Sequence, residues 1–173
     1  MIKDSGNRTE FVTGAVRDMR KGKGRCDLLP LDVISELCGF IYANPMLDVF
    51  TAINKFQETS NKMYLDIALC DLMTQKGWNI YTMVLEVSIH FEEGAKKYGE
   101  NNWQKGIPVK VYIDSAIRHY LKWLRGDQDE PHDRAFCWNI LCAMWTCKNK
   151  PELNDYRKDD EKNESTSSCC NNN

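Results

Sequence analysis

The sequence has no long apolar run. Nowhere do about eighteen apolar residues follow one another, which is the length that a membrane-spanning helix needs. The first ten residues, MIKDSGNRTE, also lack the apolar centre of a signal peptide. We therefore expect a protein of the cytoplasm.

The sequence also lacks an excess of charge of one sign and cysteine pairs of the CxxC type. The chain has 23 basic and 25 acidic residues, a formal net charge of -2, so it has no general attraction to nucleic acid or acidic membranes. Any anion site must therefore be local. The eight cysteines include no CxxC pair, which excludes the usual zinc-binding pattern and favours reduced thiols packed in the core.

Strand-like alternation of apolar and polar residues is absent as well, whereas apolar residues recur at helical spacing. We predict an all-α fold, a helical bundle with a basic N-terminal arm and a disordered C-terminal tail. Residues 1–156 form one domain, with the arm at 1–30, and the polar residues 157–173 form the tail. Helices are predicted at 31–40, twice within 46–76, and at 80–98, 109–125 and 131–147.

The basic arm contains the string GAVRDMRKGKGRCDLLP. Its glycines permit close approach of the backbone to phosphates. Three of its basic residues, Arg17, Lys23 and Arg25, are candidates for binding an anionic ligand. The more common meaning of such a run, a nonspecific patch for polyanions, stays open.

All three histidines lie in one stretch that is rich in carboxylates. His90 and Glu93 are three residues apart, as are Asp129 and His132, and this spacing places side chains on one side of a helix. Two such pairs on facing helices can surround a divalent cation, and this donor set suits magnesium or manganese. The candidate metal ligands are Glu86, His90, Glu93, His119, Asp129 and His132. The alternative for the first pair is a solvated helix face.

Further residues of this stretch suit a phosphate substrate. Glu93 is the candidate catalytic residue, which would bind the metal or orient a water molecule. Lys97 and Arg118 would offset the negative charge of phosphates. Trp103 could stack on a base while Asn102 reads its edge, although a tryptophan is more often part of the core.

Three long strings, in order, resemble a known family: GAVRDMRKGKGRCDLLP, HFEEGAKKYGENNWQKGIP and DSAIRHYLKWLRGDQDEPHDRAFCWN. They are similar to the phage and prophage family described as dATP/dGTP diphosphohydrolase, N-terminal. The resemblance covers residues 11–40 and 84–150, with 41–83 as a helical insertion. It implies a hydrolase similar to the MazG-like pyrophosphohydrolases. Such an enzyme cuts dATP or dGTP to the monophosphate and pyrophosphate, in phage nucleotide metabolism and in the host-cell cytoplasm.

The MazG-like pattern pairs ExxE on one helix with ExxD on the next. The nearest equivalents here are His90-x-x-Glu93 and either Asp129-x-x-His132 or Glu130-x-x-Asp133, so the identity of each ligand stays open. A purine deoxynucleoside triphosphate is the expected partner. No membrane and no stable nucleic acid binding are expected, and a homo-oligomer is left open. The alternatives are a non-catalytic phage accessory protein that binds a protein partner, or a metal phosphohydrolase that acts on another nucleotide.

Overall fold

The structure, a computed structural model, describes residues 6–18 and 48–157. These residues form a short β-hairpin and five α-helices, which confirms the predicted helical architecture. The elements are β1 Arg8–Glu10, β2 Val16–Asp18, α1 Val49–Thr59, α2 Met63–Lys76, α3 Ile80–Tyr98, α4 Val109–Arg125 and α5 His132–Asn149. Short 3₁₀ helices follow α3 and α5, at Asn102–Lys105 and Pro151–Leu153.

Local capping explains why the limits of α3 and α4 match the prediction. Asn79 begins α3, because its Oδ1 accepts a hydrogen bond from the backbone N–H of Thr82 at 2.9 Å. Gly126 ends α4 in the left-handed conformation. A glycine directly after a helix predicts a left-handed cap, and Gly99 holds this position after α3. Its φ is 91° but its ψ is 156°, so that cap does not form, although a positive φ still favours glycine.

The centre of the bundle is the contact between α4 and α5, while α1 and α2 pack as a pair. Residues 111–117 of α4 are buried without interruption. Tyr120 links the two parts of the core, because its ring lies 5.2 Å from that of Phe50 on α1 and 5.5 Å from that of Phe136 on α5. One continuous core therefore supports the polar residues along α3, α4 and α5.

The inward face of α3 differs from the prediction. The helical spacing of Val84, Val87 and Phe91 predicts that Val84 faces the core, but it is exposed, whereas Met83, Val87 and His90 are buried. Both Met83 and Val84 are apolar, so periodicity alone cannot choose between these adjacent rows. The same kind of spacing in α4 predicts that two leucines near its end face inward, but both are exposed: Leu121 and Leu124.

The β-hairpin is an addition to the all-helical prediction. Its antiparallel strands pair Arg8 with Asp18, Thr9 with Arg17, and Glu10 with Val16. Strands of three residues are too short to show an alternating pattern, so the sequence carries no signal for them. Part of the predicted basic arm is therefore an ordered hairpin.

The four cysteines within the described residues are free: Cys70, Cys137, Cys142 and Cys147. This agrees with the expectation of reduced thiols. Burial raises the pKa of Cys137 to about 12, so this thiol stays protonated and acts as a small apolar side chain.

Several predictions concern residues outside the described ranges. These are the arm from residue 19 onward with Lys23 and Arg25, the helix at 31–40, and the tail from residue 158. Among residues 6–18 and 48–157, no helix combines the length and the apolar character that a membrane crossing requires.

Candidate functional site

A cluster of histidines and carboxylates lies where the α4–α5 link meets both helices. Nδ1 of His119 is 3.1 Å from Nδ1 of His132. Oε1 of Glu130 lies 3.5 Å from the first of these nitrogens and 3.6 Å from the second. His132 is buried, and the side chains of His119 and Glu130 are mostly buried. We call these three residues the triad.

The triad has the size that a transition-metal cation requires. The point equidistant from its three atoms lies about 2.0 Å from each, and bonds from Zn²⁺ to imidazole nitrogen or carboxylate oxygen are about 2.0 to 2.2 Å long. Two imidazoles and one carboxylate are also a common donor set for such metals. The residues therefore fit a divalent cation.

Asp129 orients one ring of the triad. Its Oδ1 lies 2.8 Å from Nε2 of His132, and its Oδ2 lies 3.2 Å from Nζ of Lys122. The carboxylate accepts a hydrogen bond from the Nε2–H, which leaves the lone pair of His132 on Nδ1, facing the triad. Asp129 therefore orients the His132 ring through Nε2, the nitrogen that does not face the triad. It also belongs to a second group of closely spaced donors with Asp127 and His132.

The other triad imidazole is held neutral. Burial, followed by the neighbouring His132, lowers the pKa of His119 well below its ordinary value, and Arg17, His90 and Arg118 lower this pKa further. A neutral imidazole keeps the lone pair that a metal needs. A second polar region contributes to this shift through Arg17 and His90.

That second region is the seam between α3 and α5. Nη2 of Arg134 is 3.5 Å from Oε2 of Glu93, and Nη1 is 4.0 Å from Oε2 of Glu86. The predicted metal ligands on α3 thus face an arginine rather than the triad. Of the described residues, the groups close enough to hold an ion draw on the α4–α5 corner and include neither Glu86, His90 nor Glu93.

His90 lies deeper in the same seam. Its ring is 5.4 Å from that of Trp138 on α5. Burial, followed by the positive charges of Arg134 and Arg17, lowers the pKa of His90 to about 3, so its imidazole is neutral near pH 7. The structure therefore places His90 among cationic and aromatic groups, while His119 and His132 meet carboxylates.

Arg17 reaches this seam from β2. Its Nη2 donates a hydrogen bond to Oδ1 of Asn139 at 2.6 Å. Its guanidinium group lies 5.2 Å from the ring centre of Tyr112 and 5.8 Å from that of Trp138. A residue from the predicted arm is thus placed beside two helices of the bundle.

The loop after α3 holds the hairpin in this position. The side chain of Asn102 donates to the carbonyl of Val16 at 2.8 Å and accepts from its N–H at 3.1 Å. The hydroxyl of Thr13 donates to the carbonyl of Gly106. Because Val16 precedes Arg17, these contacts fix the strand that carries the guanidinium group.

The other predicted substrate contacts are dispersed. Trp103 packs 5.4 Å from the ring of Phe91 and 5.0 Å from that of Trp145, and Asn102 is engaged with the hairpin as described above. Their roles in base recognition stay predictions. Two further candidates have local partners: the ammonium group of Lys97 lies 5.1 Å from the ring centre of Tyr98, and Arg118 pairs with the buried Asp114.

Sequence reasoning did not select three residues of the site as ligands or contacts. Glu130 was recognised only for its spacing to Asp133, and its contact with the histidines depends on the turn of the link. Arg134 reads as an ordinary solvated residue at the start of a helix. Asn139 did carry a signal, because an amide within the apolar run FCWNILCAMW needs a buried partner.

The fold and the site define a helical bundle with a triad that can hold a cation and, beside it, buried guanidinium groups suited to an anion. The comparison with protein families extends this description: the family model "dATP/dGTP diphosphohydrolase, N-terminal" matches residues 57–156, more than half of the chain. The chain belongs to this family. No curated protein and no solved structure matches it. The matched range begins within residues 41–83, and the insertion inferred there stays a prediction.

Proposed function

We propose that this chain hydrolyses a purine deoxynucleoside triphosphate, dATP or dGTP, to the monophosphate and pyrophosphate with the help of a divalent cation. The observation that carries the proposal is the triad, whose atoms surround a point at metal-ligand distance. The family match supplies the substrate class. The neighbouring guanidinium groups suit the triphosphate part of such a substrate.

His119, Glu130 and His132 would hold the cation. When bound, it supplies polarisation of phosphate oxygens and a lower pKa for a water molecule. Asp129 keeps the His132 ring oriented through Nε2. Two imidazoles in the donor set favour manganese or another transition metal over magnesium.

Glu93 and the arginines would act on the substrate. The carboxylate of Glu93 lies 3.5 Å from Nη2 of Arg134, and it would accept a proton from an attacking water molecule. Arg17 and Arg134 would oppose the charge that develops on the leaving phosphates. Because these groups are largely enclosed, their interaction with charge is stronger than in water.

A nucleotide panel tests this function. Purified protein is incubated with each of the four deoxynucleoside triphosphates and manganese or magnesium, and the products are separated by chromatography. We expect pyrophosphate with dAMP or dGMP, and higher activity with manganese. Absence of hydrolysis with either metal would contradict the proposal and favour a non-catalytic binding protein.

Two variants separate the proposed roles within this experiment. Glu130→Gln should weaken manganese binding by at least about a hundredfold, because it removes a charged ligand. Glu93→Gln should keep manganese affinity and lower kcat by about a hundredfold or more. The exposed Glu152 and Glu92 provide the control substitutions Glu152→Gln and Glu92→Gln, which should leave both quantities unchanged.

A further inference from the structure

We propose that Arg17, Arg134 and Trp138 form an enclosed oxyanion site in the seam between α3 and α5, which binds the pyrophosphate portion of the substrate and the pyrophosphate product. This assignment rests on the proposed function for its biological ligand. The geometry that supports the site is independent of that function.

The first observation is a set of enclosed hydrogen-bond donors. Nη1 of Arg17, Nε of Arg134 and Nε1 of Trp138 are buried and have no hydrogen-bond partner. Buried polar groups in folded proteins are nearly always paired. All three atoms carry protons and none can accept one, so each of them needs an acceptor. The carboxylates of Glu93 and Glu86 lie near the Nη atoms of Arg134, 3.5 and 4.0 Å away.

The second observation is that the residues that carry these donors lie near one another. Arg134 and Trp138 are four residues apart on α5, so they lie on one side of that helix. The guanidinium group of Arg17 lies 5.8 Å from the ring centre of Trp138. The ring of His90 also contacts Trp138, with 5.4 Å between the two ring centres. Nδ1 of His90 is likewise enclosed without a partner.

The third observation concerns the charge of Arg17. Within the described residues, Arg17 has an amide as its hydrogen-bond partner, Asn139, and no carboxylate in an ion pair. Arg118, by contrast, is neutralised by the buried Asp114. An enclosed guanidinium group without a counter-ion is unfavourable, and an anion supplied as ligand removes this penalty.

The number of donors favours a phosphate-type anion. Arg134 has carboxylates near its two Nη atoms, while its Nε has no hydrogen-bond partner. Three separate donor groups are matched by the several oxygens of a pyrophosphate better than by the two oxygens of a carboxylate.

The test is calorimetric titration of the full chain with inorganic pyrophosphate after removal of metals by a chelator. Wild-type protein should bind, and Arg17→Met and Arg134→Met should each weaken the affinity by at least about tenfold. Trp138→Phe keeps the aromatic ring and removes the donor, so it should also weaken binding with the fold preserved. Lys110→Met is the control, because it removes an exposed positive charge whose partner is Asp155.

Failure of wild-type binding, or equal affinity in wild type, Arg17→Met and Trp138→Phe, would overturn the proposal. These two variants decide the matter even if Arg134→Met does not fold. Hydrolysis of dGTP is measured on the same preparations. Residue-dependent pyrophosphate binding without hydrolysis supports the site and contradicts the proposed function, whereas hydrolysis with no effect of the variants on pyrophosphate binding contradicts the site alone.

Discussion

At the scale of single residues, neutral imidazoles are the central feature of the site. His90 and His119 are largely buried and lie near positively charged groups, and both conditions disfavour the imidazolium form. The neutral form is the one that ligates metals and that tolerates a neighbouring guanidinium group. The same environment makes the folded protein sensitive to acid.

We predict that the metal-free protein loses stability as the pH falls below 6.5. The pKa of His90 is about 3 in the folded chain and near 6.5 when unfolded. Between these values the unfolded chain binds the additional proton, which destabilises the fold by about 1.4 kcal/mol per pH unit for such a group. Urea unfolding at pH 7.5, 6.5 and 5.5 measures this slope. His90→Gln should flatten it, and identical slopes for both proteins would contradict the assignment.

At the scale of elements, the hairpin of β1 and β2 is short but supplies a residue of the candidate site. It contributes Arg17, and polar contacts of the loop after α3 help to attach it to the bundle. Asn102 is therefore a positioning residue for Arg17, through the backbone of Val16.

We predict that Asn102→Ala loosens the hairpin without unfolding the bundle. The substitution removes two hydrogen bonds to Val16, so amide exchange at Val16 should accelerate and KM for the triphosphate should rise by about tenfold. Circular dichroism should show unchanged helical content. Gln104→Ala, an exposed position in the same 3₁₀ helix, serves as the control. An unchanged exchange rate at Val16 would show that Asn102 does not hold the hairpin.

Two glycines should respond in opposite directions to alanine. Gly106 has a φ of 108°, and a Cβ there would lie 2.6 Å from Cδ1 of Leu153 and 2.9 Å from Cδ of Lys150, so Gly106→Ala should destabilise the fold by about 1 to 3 kcal/mol. Gly94 lies within α3 with open space for a Cβ, so Gly94→Ala should stabilise the fold by about 0.5 to 1 kcal/mol. Urea unfolding compares both variants with wild type. Shifts of equal sign would contradict this interpretation.

At the scale of the whole molecule, the sequence predicted those features that depend on neighbouring residues along the chain, such as the ends of helices. Asn79 and Gly99 mark the ends of α3, and Pro108 and Gly126 mark those of α4, because caps are local signals. Their long-range arrangement was not predictable in the same way. The face of α3 that meets α5 depends on Arg134 and Trp138, which come more than forty positions later in the printed sequence.

The candidate site shows the same division. The crowding of histidines directed attention to His119 and His132, which the structure brings together. It did not separate them from His90, because spacing along one chain does not reveal which helices face each other. Glu130 joins the histidines through the turn after Gly126, and Arg17 joins the seam through a hairpin that leaves no periodic signal.

The hydrogen bond from Arg17 to Asn139 spans 122 positions of the chain, and this separation governs when the site can exist during synthesis. At translation rates of about 5 to 20 residues per second, Asn139 is made on the order of ten seconds after Arg17. Throughout that interval the nascent chain has its guanidinium group but neither α5 nor the complete triad. Under the proposed function, nucleotide binding begins only when nearly the whole bundle has left the ribosome, so a shortened translation product that ends before α5 would not sequester the nucleotide.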